Sequence, residues 1–79
     1  MDGHATAAQR AAAAVIGAMR LLGVSQEQLA QRTGIPQATL SRRLSGSGPG
    51  LNVDEIDAIA YALKVPYASL TGGHVERAA

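Results

Sequence analysis

The chain contains no cysteine, no tryptophan and no phenylalanine, and Tyr61 and Tyr67 are its whole aromatic content. Without thiols there is no disulfide framework, no thiolate metal site and no cysteine nucleophile. His4 and His74 stand alone near the two ends, with no second ligand at helical or loop spacing, so no metal is expected. Two isolated tyrosines do not make a stacking platform for single-stranded nucleic acid. The glycines from Gly46 to Gly50 lack the Gly-Lys-Ser/Thr ending of a phosphate loop, which argues against an NTPase. Long apolar runs are missing as well. The longest, Ala11 to Met19, is bracketed by Arg10 and Arg20 and falls far short of the roughly 20 residues that span a bilayer. No basic region followed by a small-residue cleavage site precedes the next helix, so neither membrane association nor a secretory leader is expected, and the reading is cytoplasmic.

The balance of charge is less even than the net value of +1 implies. Residues 1 to 50 carry five arginines against Asp2 and Glu27, whereas residues 51 to 79 carry Lys64 and Arg77 against four acids. A basic half beside an acidic half fits either a face meant for a polyanion or ordinary surface scatter. Sixteen alanines, nine glycines and eight leucines among 79 residues favour helices over strands, so the domain is expected to be all α. A core of this size supplies only about 3 to 5 kcal/mol, which leaves little margin for buried catalytic charges. With no paired catalytic groups either, an enzyme acting on a small-molecule substrate is not expected, and no cofactor is implied. Asp54 and Asp57, three residues apart, are accounted for by a helix start and a solvated face.

Three segments open with the same device, an oxygen-bearing cap residue followed three positions later by Glu or Gln: Thr6 with Gln9, Ser25 with Gln28, and Asn52 with Glu55. The first predicts helix 1 to about Leu22, with the stripe Ala12, Val15, Ile16, Met19 and Leu22 facing inward and Gly23 as its stop. The second predicts a short helix 2 to about Thr33, burying Leu29 and Ala30, with Gly34 turning the chain. Pro36 is suited to the first position of helix 3, which runs from about Pro36 or Gln37 to Leu44 or Ser45. Ser45 to Gly50 has no apolar residue and reads as a locally flexible surface connection. The third cap predicts helix 4, with Val53, Ile56, Ile59, Ala60 and Leu63 inward, ended by Val65-Pro66. Tyr67 to Thr71 makes one more short turn that tucks Leu70 against the core. The expected organisation is an N-terminal tail over 1–5, one compact five-helix domain over 6–71, and a flexible tail over 72–79.

Residues 25–45 form two short helices joined by a tight turn, which is the helix-turn-helix pattern. On a wheel of helix 3, Leu40 and Leu44 point one way and Ala38, Thr39 and Arg42 roughly the other, with Gln37 reaching out from the leading end. These are residue types that read base edges: Gln pairs with adenine, Arg with guanine, and Ala or the Thr methyl touches thymine. No acid stands among them. A merely solvated helix would normally mix Glu with its Arg.

The stretch Gly23-Val-Ser-Gln-Glu-Gln-Leu-Ala-Gln-Arg-Thr-Gly-Ile-Pro-Gln-Ala-Thr-Leu-Ser-Arg-Arg-Leu-Ser-Gly46 resembles the signature of XRE-type helix-turn-helix proteins, the phage-repressor and Cro-like family. Asn52 to Pro66 is similar to that family's fourth helix, so the resemblance spans roughly residues 12 to 71. It implies a repressor-like fold in a phage or bacterial, nucleoid-associated protein, with helix 3 entering the major groove of an operator. Base contacts are then implied for Gln37, Ala38, Thr39 and Arg42. Phosphate contacts are implied for Ser25, Gln26, Ser41, Arg43 and Ser45. Gln26 lies beside free helix-start amides that favour a phosphate, although a plain surface role is the alternative. Arg32 and Arg20 stay undecided. Where many members of the family pair an Arg late in helix 1 with a Glu at the end of helix 3, this sequence has Met19 and Leu44, which are expected to meet in the core.

One such module buries only about 600 to 1,000 Å² on DNA, so a homodimer on an inverted repeat is expected. With no second domain in these 79 residues, its interface falls to helix 1, to Val65–Leu70 or to the tail. Ala14, Gly17, Ala18 and Leu21 give helix 1 a second small-residue face, which either packs on another subunit or reflects only the helix preference of alanine. The expected function is sequence-specific transcriptional regulation of the Cro or compact-repressor kind. The alternative is a protein-interaction module, an antitoxin or anti-repressor, on the same fold.

Overall fold

Reciprocal caps start three of the helices. Thr6 Oγ1 accepts from the Gln9 amide at 3.0 Å while Gln9 Oε1 accepts from the Thr6 amide at 2.8 Å, opening α1 (Ala7–Leu22). Ser25 and Gln28 do the same for α2 (Gln26–Thr33), at 3.1 and 2.9 Å. Asn52 and Glu55 open α4 (Val53–Leu63), at 2.7 and 3.0 Å. Each cap satisfies amides that would otherwise lack a partner and stabilises its helix by about 1 kcal/mol. The computed structural model describes residues 6–71, and all of its regular structure is helical.

The remaining helix, α3 (Gln37–Ser45), has no side-chain cap. Pro36 precedes it with φ −57° and ψ 139°, so the proline is the cap residue and the helix begins at Gln37, the second of the two expected starts. Its extended ψ still lets its carbonyl accept the first helical bond, from the Leu40 amide at 2.9 Å. The expected fifth helix is a single 3-10 turn, Tyr67–Leu70, held by i to i+3 bonds from Ser69 to Pro66 and from Thr71 to Ala68. Four residues after a proline are too few for an α-helix. Among the described residues the count is therefore four α-helices and one 3-10 turn.

α1, α2 and α3 stop at glycines in the left-handed region, but α4 stops at Lys64, with φ 59° and ψ 43°. The end is set by Val65 donating to the Ala60 carbonyl at 3.0 Å and Lys64 to that of Tyr61 at 3.2 Å, the same double closure that Val24 and Gly23 make at the end of α1. A side chain in this conformation costs about 1 kcal/mol, so tertiary packing holds it there.

One apolar core joins all the elements. Ala11, Ala12, Val15 and Met19 come from α1, Leu29 from α2, Leu40 and Leu44 from α3, Ile56, Ile59, Ala60 and Leu63 from α4, and Leu70 from the 3-10 turn. Met19 and Leu44 are both buried in this core. Two inward assignments are corrected. Leu22 shares the buried face of α1 but sits in its last turn, beyond the core, and is 50% exposed; Val53, on the first turn of α4 at the border of the stripe, is 67% exposed. Ile16 and Ala30 are half-buried at the rim. α1 and α2 meet at 106°, and α3 packs in the angle against both. α4 packs against α1, α2 and the 3-10 turn, while α3 and α4 make no close backbone approach.

Among the described residues no single helix is long and apolar enough to cross a membrane. The expected tails at 1–5 and 72–79, with His4 and His74, lie outside the described residues.

Candidate nucleic-acid interface

The turn between α2 and α3 is fixed by one side chain. Thr33 Oγ1 donates to the Leu29 carbonyl at 2.8 Å and accepts from the Ile35 amide at 3.2 Å. Gly34, at φ 80°, supplies the left-handed step between them, and its amide bonds to the Ala30 carbonyl at 2.9 Å. Ile35 then packs on the core and Pro36 launches α3. The pose of α3 on α2 is thus set within four residues.

Burial of Leu40 and Leu44 turns the opposite face of α3 to solvent. Gln37, Ala38, Ser41 and Arg42 are exposed, and Thr39 is half-buried at the edge of that face. No acidic side chain lies on α3, whose last turn carries Arg42 and Arg43. All four residues assigned to base reading therefore sit on or beside one surface. The face therefore carries the short side chains of Ala38, Thr39 and Ser41 between the longer Gln37 and Arg42.

The residues assigned to phosphate divide into two sets. Ser25, Gln26 and Arg20 line one shallow groove between the end of α1 and the start of α2, which brings the undecided Arg20 beside the helix start. Ser25 Oγ is already accepting from the Gln28 amide, while the helix dipole still favours an anion there. Arg32 lines a different groove, with Leu22, Ala62 and Lys64.

At the far end of α3 the side chains are engaged within the protein. Ser45 Oγ donates to the Arg42 carbonyl at 3.2 Å and lies 3.0 Å from Ser47 Oγ. Arg43 does not project with Arg42. Its Nε donates to Glu55 Oε1 at 3.1 Å, Nη2 to Oε2 at 3.2 Å and Nη1 to the Pro49 carbonyl at 3.3 Å. This side-on ion pair ties α3 to the start of α4 and to the connection between them. Glu55 is the residue that sequence reasoning assigned only to a cap. Its spacing from Asn52 announced that role, and nothing in a separation of 12 residues across a glycine-rich loop announced the other.

That loop is less free than its composition implied. Besides the Arg43 contact, Gly50 sits so close to α1 that a Cβ built on it would lie 2.5 Å from the Ala8 Cβ.

Two short helices at a fixed turn, the second with an apolar inner face and a polar, acid-free outer face, define a helix-turn-helix domain. Residues 3–64 match the family described as the antitoxin Xre-like helix-turn-helix domain, and the chain belongs to that family. No curated protein and no solved structure gives a match to the chain.

Proposed function

We propose that this domain binds duplex DNA in a sequence-specific manner as a small transcriptional regulator, with α3 as the element that enters the major groove. The observation that carries this reading is the outer face of α3: Gln37, Ala38 and Arg42 are exposed together, Thr39 flanks them, and no acid interrupts them. Gln37 and Arg42 supply bidentate hydrogen bonding to adenine and guanine edges, and Ala38 with Thr39 supplies apolar contact to a thymine methyl. Arg20, Ser25, Gln26 and Ser41 position the domain on the backbone, where such contacts fix register without reading sequence. The role is one of binding and not catalysis. Two copies on an inverted repeat, with half-sites about 34 Å apart, give the specificity that one small module lacks.

The second reading is a protein-interaction module, an antitoxin or anti-repressor, that keeps the fold but uses its surface for a protein partner. It is favoured by the family's own description and by exposed apolar side chains away from α3, with Leu21 and Tyr61 86% and 88% exposed. Selection of bound sequences from a random duplex library, followed by titration of the best site over a salt series, tests the DNA reading. An enriched inverted repeat with affinity falling steeply in salt is expected. No enrichment, with weak binding that vanishes as salt rises, would move the function to the protein partner.

A further inference from the structure

We infer that Glu55 is a specificity-determining residue of the DNA-binding site, because it withholds the Arg43 charge from the phosphate backbone. The inference rests on the DNA-binding reading above. Arg42 and Arg43 are neighbours on α3, yet only Arg42 is exposed; the side chains of Arg43 and Glu55 are 21% and 15% exposed. Each of the three guanidinium nitrogens of Arg43 has an acceptor within the protein, two on Glu55 and one on Pro49. The Glu55 carboxylate is in turn held by the Asn52 amide at 3.0 Å, so it is fixed by the start of its own helix. A carboxylate held in place meets the planar guanidinium without first losing side-chain freedom, which is the usual cost of an exposed pair.

The consequence concerns what DNA senses. Non-specific affinity grows with the number of cations that neutralise phosphates, and each adds about 0.9 to the slope of log affinity against log salt. A guanidinium already neutralised by a fixed carboxylate displaces no counterion. Arg20, Arg32 and Arg42 remain exposed on the three helices nearest the proposed groove face, a small supply of charge. With the backbone term held low, discrimination depends more heavily on Gln37, Thr39 and Arg42. Glu55 acts through Arg43 and need not touch the bases.

The test compares the full chain with Glu55→Gln, Arg43→Gln and the double variant. Each is titrated against the selected site and against an unselected duplex, in potassium chloride from about 50 to about 200 mM. Glutamine at 55 keeps an oxygen for the Asn52 amide, so α4 retains its cap, and thermal melts of all four proteins check that each is folded. Freeing Arg43 by Glu55→Gln should steepen the slope by about 0.9, which is about a further 3.5-fold loss of affinity over that salt range. It should also tighten binding to the unselected duplex at low salt and lower the ratio of specific to unselected affinity. Arg43→Gln should leave the slope unchanged, and the double variant should return to the parent slope.

A slope made shallower by Arg43→Gln would place Arg43 on a phosphate in the parent and overturn the inference. So would a double variant as steep as Glu55→Gln, since the effect would then come from losing the acid alone. Equal weakening by both single variants at an unchanged slope would reduce the pair to a structural brace. Absence of salt-dependent binding of any duplex by the parent would sink the DNA-binding reading itself, a distinct failure that also removes this role.

Discussion

Gly50→Ala isolates a purely steric contact. The Gly50 backbone lies outside the left-handed region, so alanine there carries no conformational penalty; the added Cβ instead meets Ala8 Cβ at 2.5 Å and Ala8 Cα at 3.5 Å. Carbon atoms at rest stand about 3.5 to 4.0 Å apart, so the first of these contacts needs a shift of at least about 1 Å. Overpacking of this kind costs about 1 to 3 kcal/mol. For a domain of this length each kcal/mol lowers the melting temperature by about 4 to 8 °C. Thermal melts followed by circular dichroism should therefore show a drop of at least about 4 °C for Gly50→Ala. Ala8→Gly in the first turn of α1 removes the opposing Cβ at its own helix-propensity cost of up to about 1 kcal/mol. The double variant should lie well above the sum of the two single losses, because one methyl-sized group then occupies the space that two cannot share. A neutral Gly50→Ala, or strictly additive losses, would show that the connection shifts freely and would refute the close approach of loop and helix.

Arg42→Ala should cost about 1 to 3 kcal/mol on the selected site and relax preference at one base pair, whereas Gln26→Ala should weaken every sequence alike; equal losses from both on all sequences would reduce Arg42 to a phosphate contact. Gly17 lies exposed inside α1 with nothing within 4 Å of a built Cβ, so Gly17→Ala should stabilise the domain by about 0.5 to 1 kcal/mol, read from a denaturant midpoint. A loss instead would reveal that this face is covered in solution. Lys64→Gly should raise stability by about 1 kcal/mol by relieving the left-handed backbone at the end of α4, and an unchanged midpoint would mean the lysine side chain compensates by its own contacts.

What the sequence made legible is local in origin. Thr6, Ser25 and Asn52 announce their helices because cap and partner lie three residues apart, and Gly23 and Gly34 announce stops because left-handed backbone favours glycine. The end of α4 was harder to read, since Lys64 carries no such signature and Val65-Pro66 drew attention one step downstream. A helical wheel gives direction without extent. It placed Leu22 on the correct face of α1 without disclosing that the core ends before it, and it counted Val53 inward at a position where the helix has only begun. The outer face of α3 was readable because Leu40 and Leu44 fix its rotation. The partner of Arg43 was not, because an ion pair across a glycine-rich connection depends on the path of that connection and leaves no periodic trace. Ser45 shows the same limit at short range, where a hydroxyl that suits a phosphate equally suits the carbonyl of its own turn.

The positions that hold α3 in place are few and face one way. Leu40 and Leu44 anchor it, Thr33 and Pro36 aim it, and Gly46 ends it, while Gln37, Ala38, Ser41 and Arg42 contribute almost nothing to the core. The uncapped start of α3 places no demand on Gln37 comparable to the demand that α1, α2 and α4 place on Gln9, Gln28 and Glu55. Structural upkeep and the proposed recognition thus fall to separate letters of a nine-residue helix. A substitution among the outward letters therefore changes what this face presents while the scaffold beneath it persists.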